Sequence, residues 1–254
     1  MKKDIIFIPA IDAGRGRHKA YHYSIKSWQK WAEKHNAEVV VWDEPLYTWD
    51  EMTIPWQRYH LFKILDHNNI NYDQILMVDA DTIVHPDCPN FFKETDGKYC
   101  GVMNDGDYEW VLRSIRGFGD ELFDGTRIHP WTYINGGFQI LNSKHKEFFE
   151  TMKTYYNENS SLILDTISKL KTATDQTILN YMLVKNNVDV KILSSCYNLQ
   201  DLFRKNLLYI DENCWWTDEL INLFNAGWVY HFNAIPQNPR DVSYWMERTY
   251  KELY

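Results

Sequence analysis

The residue pattern with the clearest chemical meaning is an acidic triplet that ends an apolar run. Residues 75–78 are apolar, and Asp79, Ala80 and Asp81 follow them directly. Successive side chains of a strand alternate between its faces, so both carboxylates project to one side if the extended geometry continues. Carboxylate oxygens suit Mg²⁺ or Mn²⁺, and such an ion can stabilise a departing nucleoside diphosphate. Because acidic turns are common, the triplet alone is weak evidence, and its position in the fold decides its meaning.

The elements before the triplet predict a parallel sheet. An apolar, β-branched run over residues 5–10 predicts a first strand, and residues 38–43 predict a second. Helical spacing over residues 19–35 and 56–68 places a helix before the second strand and before a third over residues 74–78. This alternation predicts an α/β fold with a mainly parallel sheet flanked by helices. Open sheets of this kind bind ligands at the carboxyl ends of their strands, which is where the triplet lies.

The second part of the chain is less regular. Residues 104–131 are rich in Gly, Asp and aromatic side chains without a clear period, and we interpret them as a functional insertion. The pattern then predicts a strand over 138–141, helices over 146–156 and 175–185, and late strands over 189–193 and 228–232. We expect the late strands to extend the same sheet. No repeat or linker divides the chain, so a single domain over residues 1–254 is predicted.

Charge and composition exclude several classes of protein. The chain has 27 basic and 35 acidic residues, and its net charge of -8 argues against general affinity for nucleic acid or anionic membranes. No apolar stretch approaches the length of a membrane span, and Pro9 and Asp12 interrupt the first apolar run too early for a signal peptide. Four separated cysteines without a CxxC pair predict buried free thiols. A cytoplasmic location is therefore expected.

Several segments together resemble the GT-A glycosyltransferases. They are residues 24–27, 62–65, 72–81, 133–142, 174–180 and 230–232, in that order along the chain. Specifically, the chain resembles the retaining family that contains glycogenin and the bacterial lipopolysaccharide galactosyltransferases. The resemblance implies one GT-A (Rossmann-like) domain, in which residues 1–103 bind the nucleotide sugar. Residues 104–254 would form the acceptor side and supply a metal-binding histidine near the end of the chain.

The resemblance implies a three-residue metal site. His231 would join Asp79 and Asp81 as the third ligand, and a neutral imidazole favours Mn²⁺ over Mg²⁺. A histidine inside an apolar run such as residues 228–232 is also commonly a satisfied core residue. The resemblance favours the role of metal ligand.

The resemblance also implies a binding site for the nucleotide sugar. Asp12 and Asp43, each at the end of an early strand, would face the base and ribose. Lys63 would lie near the diphosphate or a metal-binding carboxylate, with Arg58 as a weaker candidate; a solvated helix lysine is the competing interpretation. The residues expected to contact the donor are Ala10, Asp12, Lys63, Asp79, Ala80, Asp81, Gly136 and Gly137.

Three residues are implied to act at the reacting sugar, namely Asn135, Asp175 and Gln176. Asp175 and Gln176 would touch the sugar hydroxyls and the reacting face, although Thr174 or Asp175 also has the residue type of a helix N-cap. Gly136 and Gly137, which follow Asn135, would let the backbone approach the ligand closely. The family usually has Ser or Ala at the first of these positions, and a tight turn is the competing interpretation.

One position departs from the family pattern. A lysine that grips the leaving diphosphate usually follows the metal histidine, but here Gln237 stands in its place. Since guanidinium groups bind phosphate well, Arg240, Arg113 or Arg116 is a candidate replacement.

The sequence therefore predicts metal-dependent transfer of a sugar from a nucleotide diphosphate donor, expected to be UDP-linked, to a carbohydrate or other hydroxyl acceptor. Retention of anomeric configuration is implied by the resemblance alone.

A catalytically silent sugar-binding relative and a sugar nucleotidyltransferase are the alternatives, and the second is hinted at by residues 14–17. A phosphohydrolase of the haloacid dehalogenase type fits poorly, because Ile83 replaces its Thr or Val and the triplet follows the third strand. The identity of the sugar, the acceptor and the oligomeric state stay open.

Overall fold

The computed structural model describes residues 2–14, 16–172, 175–200, 227–235 and 241–254. The strands are β1 (Lys3–Pro9), β2 (Glu38–Trp42), β3 (Tyr72–Val78), β4 (Thr82–Val84), β5 (Tyr99–Met103), β6 (Ile134–Asn142), β7 (Val190–Leu193) and β8 (Val229–His231). The α-helices are α1 (Tyr21–His35), α2 (Ile54–Gln57), α3 (Leu61–His67), α4 (Tyr108–Leu122), α5 (Lys146–Leu170), α6 (Gln176–Lys185) and α7 (Val242–Leu253). Short 3-10 turns connect several of these elements, including residues 17–20 and 58–60.

The central sheet has six strands in the order β2-β1-β3-β6-β5-β7. Strands β1, β2 and β3 are parallel, as are β5 and β7, whereas β6 runs antiparallel to both of its neighbours. All nine residues of β6 are buried, as expected for a strand with sheet on both sides and helices on both faces. The predicted α/β fold with a mainly parallel sheet is confirmed.

Two hydrophobic clusters cover the two faces of this sheet. Strand alternation sends Ile5 and Phe7 of β1 into one cluster, and Ile6 and Ile8 into the other. A third cluster lies outside the sheet, where Ile83 of β4 and Tyr230 of β8 pack with Trp245 of α7. Strand β4 is therefore anchored on both sides, since Val84 packs in the same cluster as Leu76 and Val78 of β3 while Ile83 packs in the third cluster.

The interpretation of residues 104–131 as irregular is wrong, because α4 occupies their centre. Asp107 caps this helix by accepting a hydrogen bond from the Trp110 backbone N–H at 3.0 Å. Val111, Ile115 and Phe118 form its buried face at helical spacing. The glycines that weaken the helix signal lie in close contacts; a Cβ at position 117 would stand 2.3 Å from a Leu170 methyl carbon. Packing thus overrides low helix propensity here.

The prediction for the late strands is half right. Strand β7 extends the central sheet beside β5, but β8 pairs with β4 in a separate two-stranded antiparallel sheet. In this pairing His231 lies opposite Thr82, the residue after Asp81. Residues that are 150 positions apart in the chain are thereby brought together at one edge of the central sheet.

Two further expectations concern the surroundings of the fold. Cys88 and Cys100 are buried free thiols as predicted, and Cys196 is half-buried, while Cys214 lies outside the described residues. Among the described helices, none combines the length and apolar character needed to cross a membrane.

Candidate metal centre

The acidic triplet forms the short connection between β3 and β4, and hydrogen bonds fix its backbone from several directions. The backbone N–H of Asp79 donates to the carbonyl of Gly137 at 3.0 Å, and the backbone N–H of Phe232 donates to the carbonyl of Asp81 at 2.9 Å. The hydroxyl of Thr82 donates to the Asp79 carbonyl at 2.8 Å. The connection is therefore held by β6 on one side and by the residue after β8 on the other.

Asp79, Asp81 and His231 converge at this connection, and we call these three residues the triad. One ligand atom from each residue lies within 4.8 Å of the other two. His231 Nε2 is 3.3 Å from Asp81 Oδ1 and 3.7 Å from Asp79 Oδ2. The side chains of His231 and Asp81 are 2% and 12% exposed, whereas that of Asp79 is 28% exposed. The site is thus open on the side of Asp79.

Two arginines contact the outer oxygens of the same carboxylates. Arg17 Nη2 is 2.9 Å from Asp81 Oδ2, and Arg58 Nη2 is 3.1 Å from Asp79 Oδ1. Each aspartate therefore offers one oxygen to an arginine and turns the other toward His231. This arrangement suits monodentate ligation of one cation by each carboxylate.

The charges of the site are set by these neighbours. Burial alone would raise the pKa of Asp81. His231 and Arg17 lower it by more, so the pKa stands at about 2. Burial lowers the pKa of Arg58, but Asp79 and Asp175 raise it by more, so the guanidinium stays protonated. Asp81 is ionised at neutral pH and available as a metal ligand.

A chain of amides determines which nitrogen of His231 carries the proton. The backbone N–H of Gly137 donates to Asn135 Oδ1 at 2.8 Å, which identifies that atom as the oxygen. Asn198 must then donate to it through Nδ2 at 3.1 Å, so Asn198 Oδ1 accepts from His231 Nδ1 at 3.0 Å. In the neutral imidazole the proton therefore lies on Nδ1, and the unprotonated Nε2 faces the two carboxylates, as a metal-ligating imidazole requires.

The described residues fit a divalent cation. His231 Nε2 is buried and has no hydrogen-bond partner among them, which is costly unless another group binds it. A Cβ at Gly137 would lie 2.5 Å from His231 Cε1 and 2.6 Å from Asp79 Oδ2, so only glycine leaves the triad its room. Two carboxylates with one neutral imidazole form a donor set suited to Mn²⁺ or Mg²⁺.

Gly136 has a different environment from Gly137. A Cβ there would meet Gln176 at 3.6 Å, an ordinary van der Waals contact. This space would accept a small side chain such as that of Ser or Ala. The close approach of backbone to the triad is a property of Gly137.

The side chain of Asp175 does not cap helix α6, although its position before the helix suggests an N-cap. It precedes α6, but its side chain makes no capping hydrogen bond. Instead, the Tyr59 hydroxyl donates to Asp175 Oδ2 at 3.0 Å, and Arg58 Nε lies 3.7 Å from the same oxygen. Arg58 also donates to the Gly136 carbonyl at 2.8 Å. Arg58 thus connects Asp79, Asp175 and the glycine pair.

Asn135 and Gln176 belong to one amide network. The backbone N–H of Gly136 donates to Gln176 Oε1 at 2.9 Å, and Asn135 Nδ2 lies 3.2 Å from the same oxygen. Asn135 Nδ2 also lies 2.8 Å from Gln200 Oε1 and 3.1 Å from Asn104 Oδ1. Because Asn135 further joins Asn198, the network links the orientation of His231 to that of Gln176.

The structure does not bring every predicted residue to the triad. Lys63 lines a surface cavity with His60, Asp66 and Lys146, and Arg58 is the basic residue that contacts Asp79. Asp12 accepts a hydrogen bond from the backbone N–H of Gly14 at 2.8 Å, and His18 Nδ1 lies 2.8 Å from Asp12 Oδ1. Other predicted positions are distributed as follows: Ala10 is half-buried after β1, Asp43 is exposed after β2, Arg113 and Arg116 are exposed on α4, and Thr174, Gln237 and Arg240 lie outside the described residues.

Sequence reasoning missed Arg17, Asn198 and Gln200 as parts of the site. The sequence pattern places Arg17 only in residues 14–17, the segment that hints at a nucleotidyltransferase, and its contact with Asp81 spans 64 positions. Asn198 and Gln200 alternate with apolar residues just after the short turn at residues 195–197. This spacing suggests that both side chains share a face, but it does not indicate the partner.

Comparisons with known proteins agree with this architecture. No protein-family model and no curated protein matches the sequence. A solved glycosyltransferase involved in the glycosylation of the major capsid of PBCV-1 superimposes with a TM-score of 0.58 at 11% identity, over 99% of this chain and 98% of that one. The glycosyltransferase GlyE of Streptococcus pneumoniae TIGR4 gives 0.52 at 16% identity, over 98% of this chain and 60% of that one. The chain has the GT-A fold.

Proposed function

We propose that this GT-A chain is a metal-dependent glycosyltransferase that uses a nucleotide diphosphate sugar, expected to be UDP-linked. The observation that carries the proposal is the triad. Two carboxylate oxygens and a buried imidazole nitrogen without a hydrogen-bond partner converge where ligands of open α/β sheets bind. The names of the two solved structures with this fold support the same class.

Asp79, Asp81 and His231 would hold the ion, and Mn²⁺ or Mg²⁺ would supply positive charge against the charge that develops on the leaving diphosphate. Arg58 holds Asp79 through one oxygen, and its contacts with Gly136 and Asp175 leave it little freedom. Such preorganised charge needs little reorganisation during the reaction, which is how electrostatic stabilisation lowers a barrier.

Gln176 is the proposed contact to the face of the sugar that reacts. Its side chain is half-buried, and the Gly136 N–H and Asn135 orient its oxygen. Asp175 is enclosed by Tyr59 and Arg58, with 3% of its side chain exposed. We therefore propose that Asp175 positions Arg58 and is not a nucleophile. Retention would follow if the acceptor attacks from the face that the diphosphate leaves.

The proposed acceptor is a carbohydrate, and exposed aromatic rings support this choice. Tyr108 and Trp131 are 53% and 61% exposed, and their ring centroids lie 6.2 Å apart. The chain runs from Trp131 into β6 and Asn135, and Tyr108 begins α4 four residues after Asn104. The apolar faces of sugar rings stack on such side chains.

A panel of UDP- and GDP-sugars with Mn²⁺ tests the proposal, with release of the nucleoside diphosphate as the readout. We expect release from one donor, stimulation by a sugar acceptor, and loss of release after chelation of the metal. Asp81→Asn serves as the matched control, because it keeps the side-chain shape and removes the charge. Release that persists in chelator or in this variant would contradict the proposed metal role. No release of nucleoside diphosphate from any donor, together with no thermal shift of the protein by any donor, would contradict the proposed function.

A further inference from the structure

Arg17 is a basic residue at the triad with no role in the function proposed so far. It opens the 3-10 turn at residues 17–20, after the loop that follows β1. Strands β1 and β3 are parallel neighbours, so the segments after them meet at the same edge of the sheet. The strand order thus brings the segment that carries Arg17 to the edge of the sheet where Asp81 lies.

The hydrogen bonds of Arg17 use only part of its guanidinium. Nη2 donates both to Asp81 Oδ2 and to the Phe232 carbonyl, each at 2.9 Å. Nε is buried and lacks a hydrogen-bond partner among the described residues. A guanidinium has five N–H donors, and 29% of this side chain is exposed. Arg17 therefore keeps donor capacity for a ligand that enters the open side of the site.

The balance of charge indicates what kind of ligand this is. Asp79, Asp81 and Asp175 contribute three carboxylates, and Arg17 and Arg58 contribute two guanidinium groups. The site is slightly negative as it stands and becomes positive when a divalent cation joins the triad. An anion with two or more negative charges offsets that excess, and phosphate groups match guanidinium geometry.

We propose that Arg17 binds the diphosphate of the nucleotide donor and of the departing product. The inference rests on the proposed function, since that function supplies the diphosphate. Asp81 and the Phe232 carbonyl hold Arg17 beside the triad before the anion arrives, which reduces the entropy lost on binding. Arg113 and Arg116 are exposed on α4 and have no such contact with the triad among the described residues.

Binding of inorganic pyrophosphate in Mg²⁺, measured by isothermal titration calorimetry, tests this role without a sugar or a base. Arg17→Met is expected to weaken binding by about 10- to 100-fold, the range for a hydrogen bond to a charged group. Arg17→Lys keeps the charge and should lose less affinity for pyrophosphate than Arg17→Met does. Arg127→Met removes an exposed cation of the same type, which pairs with Asp120 and not with the triad, and should bind as the wild type does.

Titration with Mn²⁺ alone separates a phosphate contact from damage to the fold. Arg17→Met removes a cation from Asp81, so its affinity for Mn²⁺ should equal or exceed that of the wild type. Unchanged pyrophosphate binding in Arg17→Met, or parallel loss of both ligands, would overturn the inference. Failure of wild-type protein to bind pyrophosphate in Mg²⁺ would also overturn it. Arg17-dependent binding without turnover of any donor would contradict the proposed function and leave the inference standing.

Discussion

Acidic residues follow three adjacent parallel strands of the sheet, but their surroundings differ. After β3, Asp79 and Asp81 are enclosed by arginines and by His231, with 28% and 12% of their side chains exposed. After β1, Asp12 is 52% exposed and contacts its own loop, and Asp43 after β2 is exposed. The same residue type at the same edge therefore becomes a candidate metal ligand only where distant elements enclose it.

The largest expected effect is on the enclosed carboxylates. Asp81→Asn removes the negative charge that faces both His231 and Arg17. We expect donor turnover to fall by at least about 100-fold, since even residues that only support metal ligands cost up to that much. The measurement is nucleoside diphosphate release at saturating donor. A fall in turnover no larger than that caused by Asp12→Asn would contradict the distinction between the enclosed and the exposed carboxylates.

The amide that orients His231 is expected to have the next largest effect. Asn198→Leu removes the acceptor for His231 Nδ1–H, so the proton is free to move to Nε2 and block the ligand. Mn²⁺ affinity should fall by about 10- to 100-fold. Asn198→Asp keeps an acceptor and should retain most of the affinity. Equal loss of Mn²⁺ affinity in both variants would show that Asn198 acts through packing and not by fixing the tautomer of His231.

The adjacent glycines provide a matched pair. Gly137→Ala places a methyl group within 2.6 Å of Asp79 Oδ2, and we expect Mn²⁺ affinity to fall by about tenfold or more. Gly136→Ala adds the same group with ordinary contacts and should cost less than about 0.5 kcal/mol. Calorimetric titration of both variants measures the difference. Equal Mn²⁺ affinity in the two variants would contradict the claim that a methyl group at position 137 crowds the triad.

The smallest effect is expected at the exposed carboxylate. If Asp12 faces the nucleotide, Asp12→Asn should raise the KM for the donor by about tenfold, the low end of the range for a hydrogen bond to a charged group, because Asp12 is half exposed to water. The kcat should stay unchanged, because such a contact is made equally in the ground state and the transition state. A fall in kcat would place Asp12 in the reacting part of the site.

These contrasts show what could be predicted from the sequence. Apolar runs and their alternation with helical patterns predict the sheet, and the carboxyl ends of its strands locate Asp79 and Asp81. His231 came from the family resemblance, because nothing local in an apolar run distinguishes a ligand from a core histidine. Arg17, Arg58 and Asn198 acquire their contacts through tertiary packing across 64, 21 and 33 positions. The sequence pattern does not predict helix α4, because Gly117 and Gly119 lower its helix propensity and the packing that requires small residues there, such as Leu170 against Gly117, is visible only in the structure.

The most direct test of the central claim is a Mn²⁺ titration followed by electron paramagnetic resonance, in which bound Mn²⁺ loses the sharp signal of the free ion. Wild-type protein with UDP should remove free Mn²⁺ from solution at a saturable site, whereas Asp81→Asn and His231→Leu should not. Wild-type protein that leaves the free signal unchanged, or variants that bind as the wild type does, would contradict a metal centre at Asp79, Asp81 and His231.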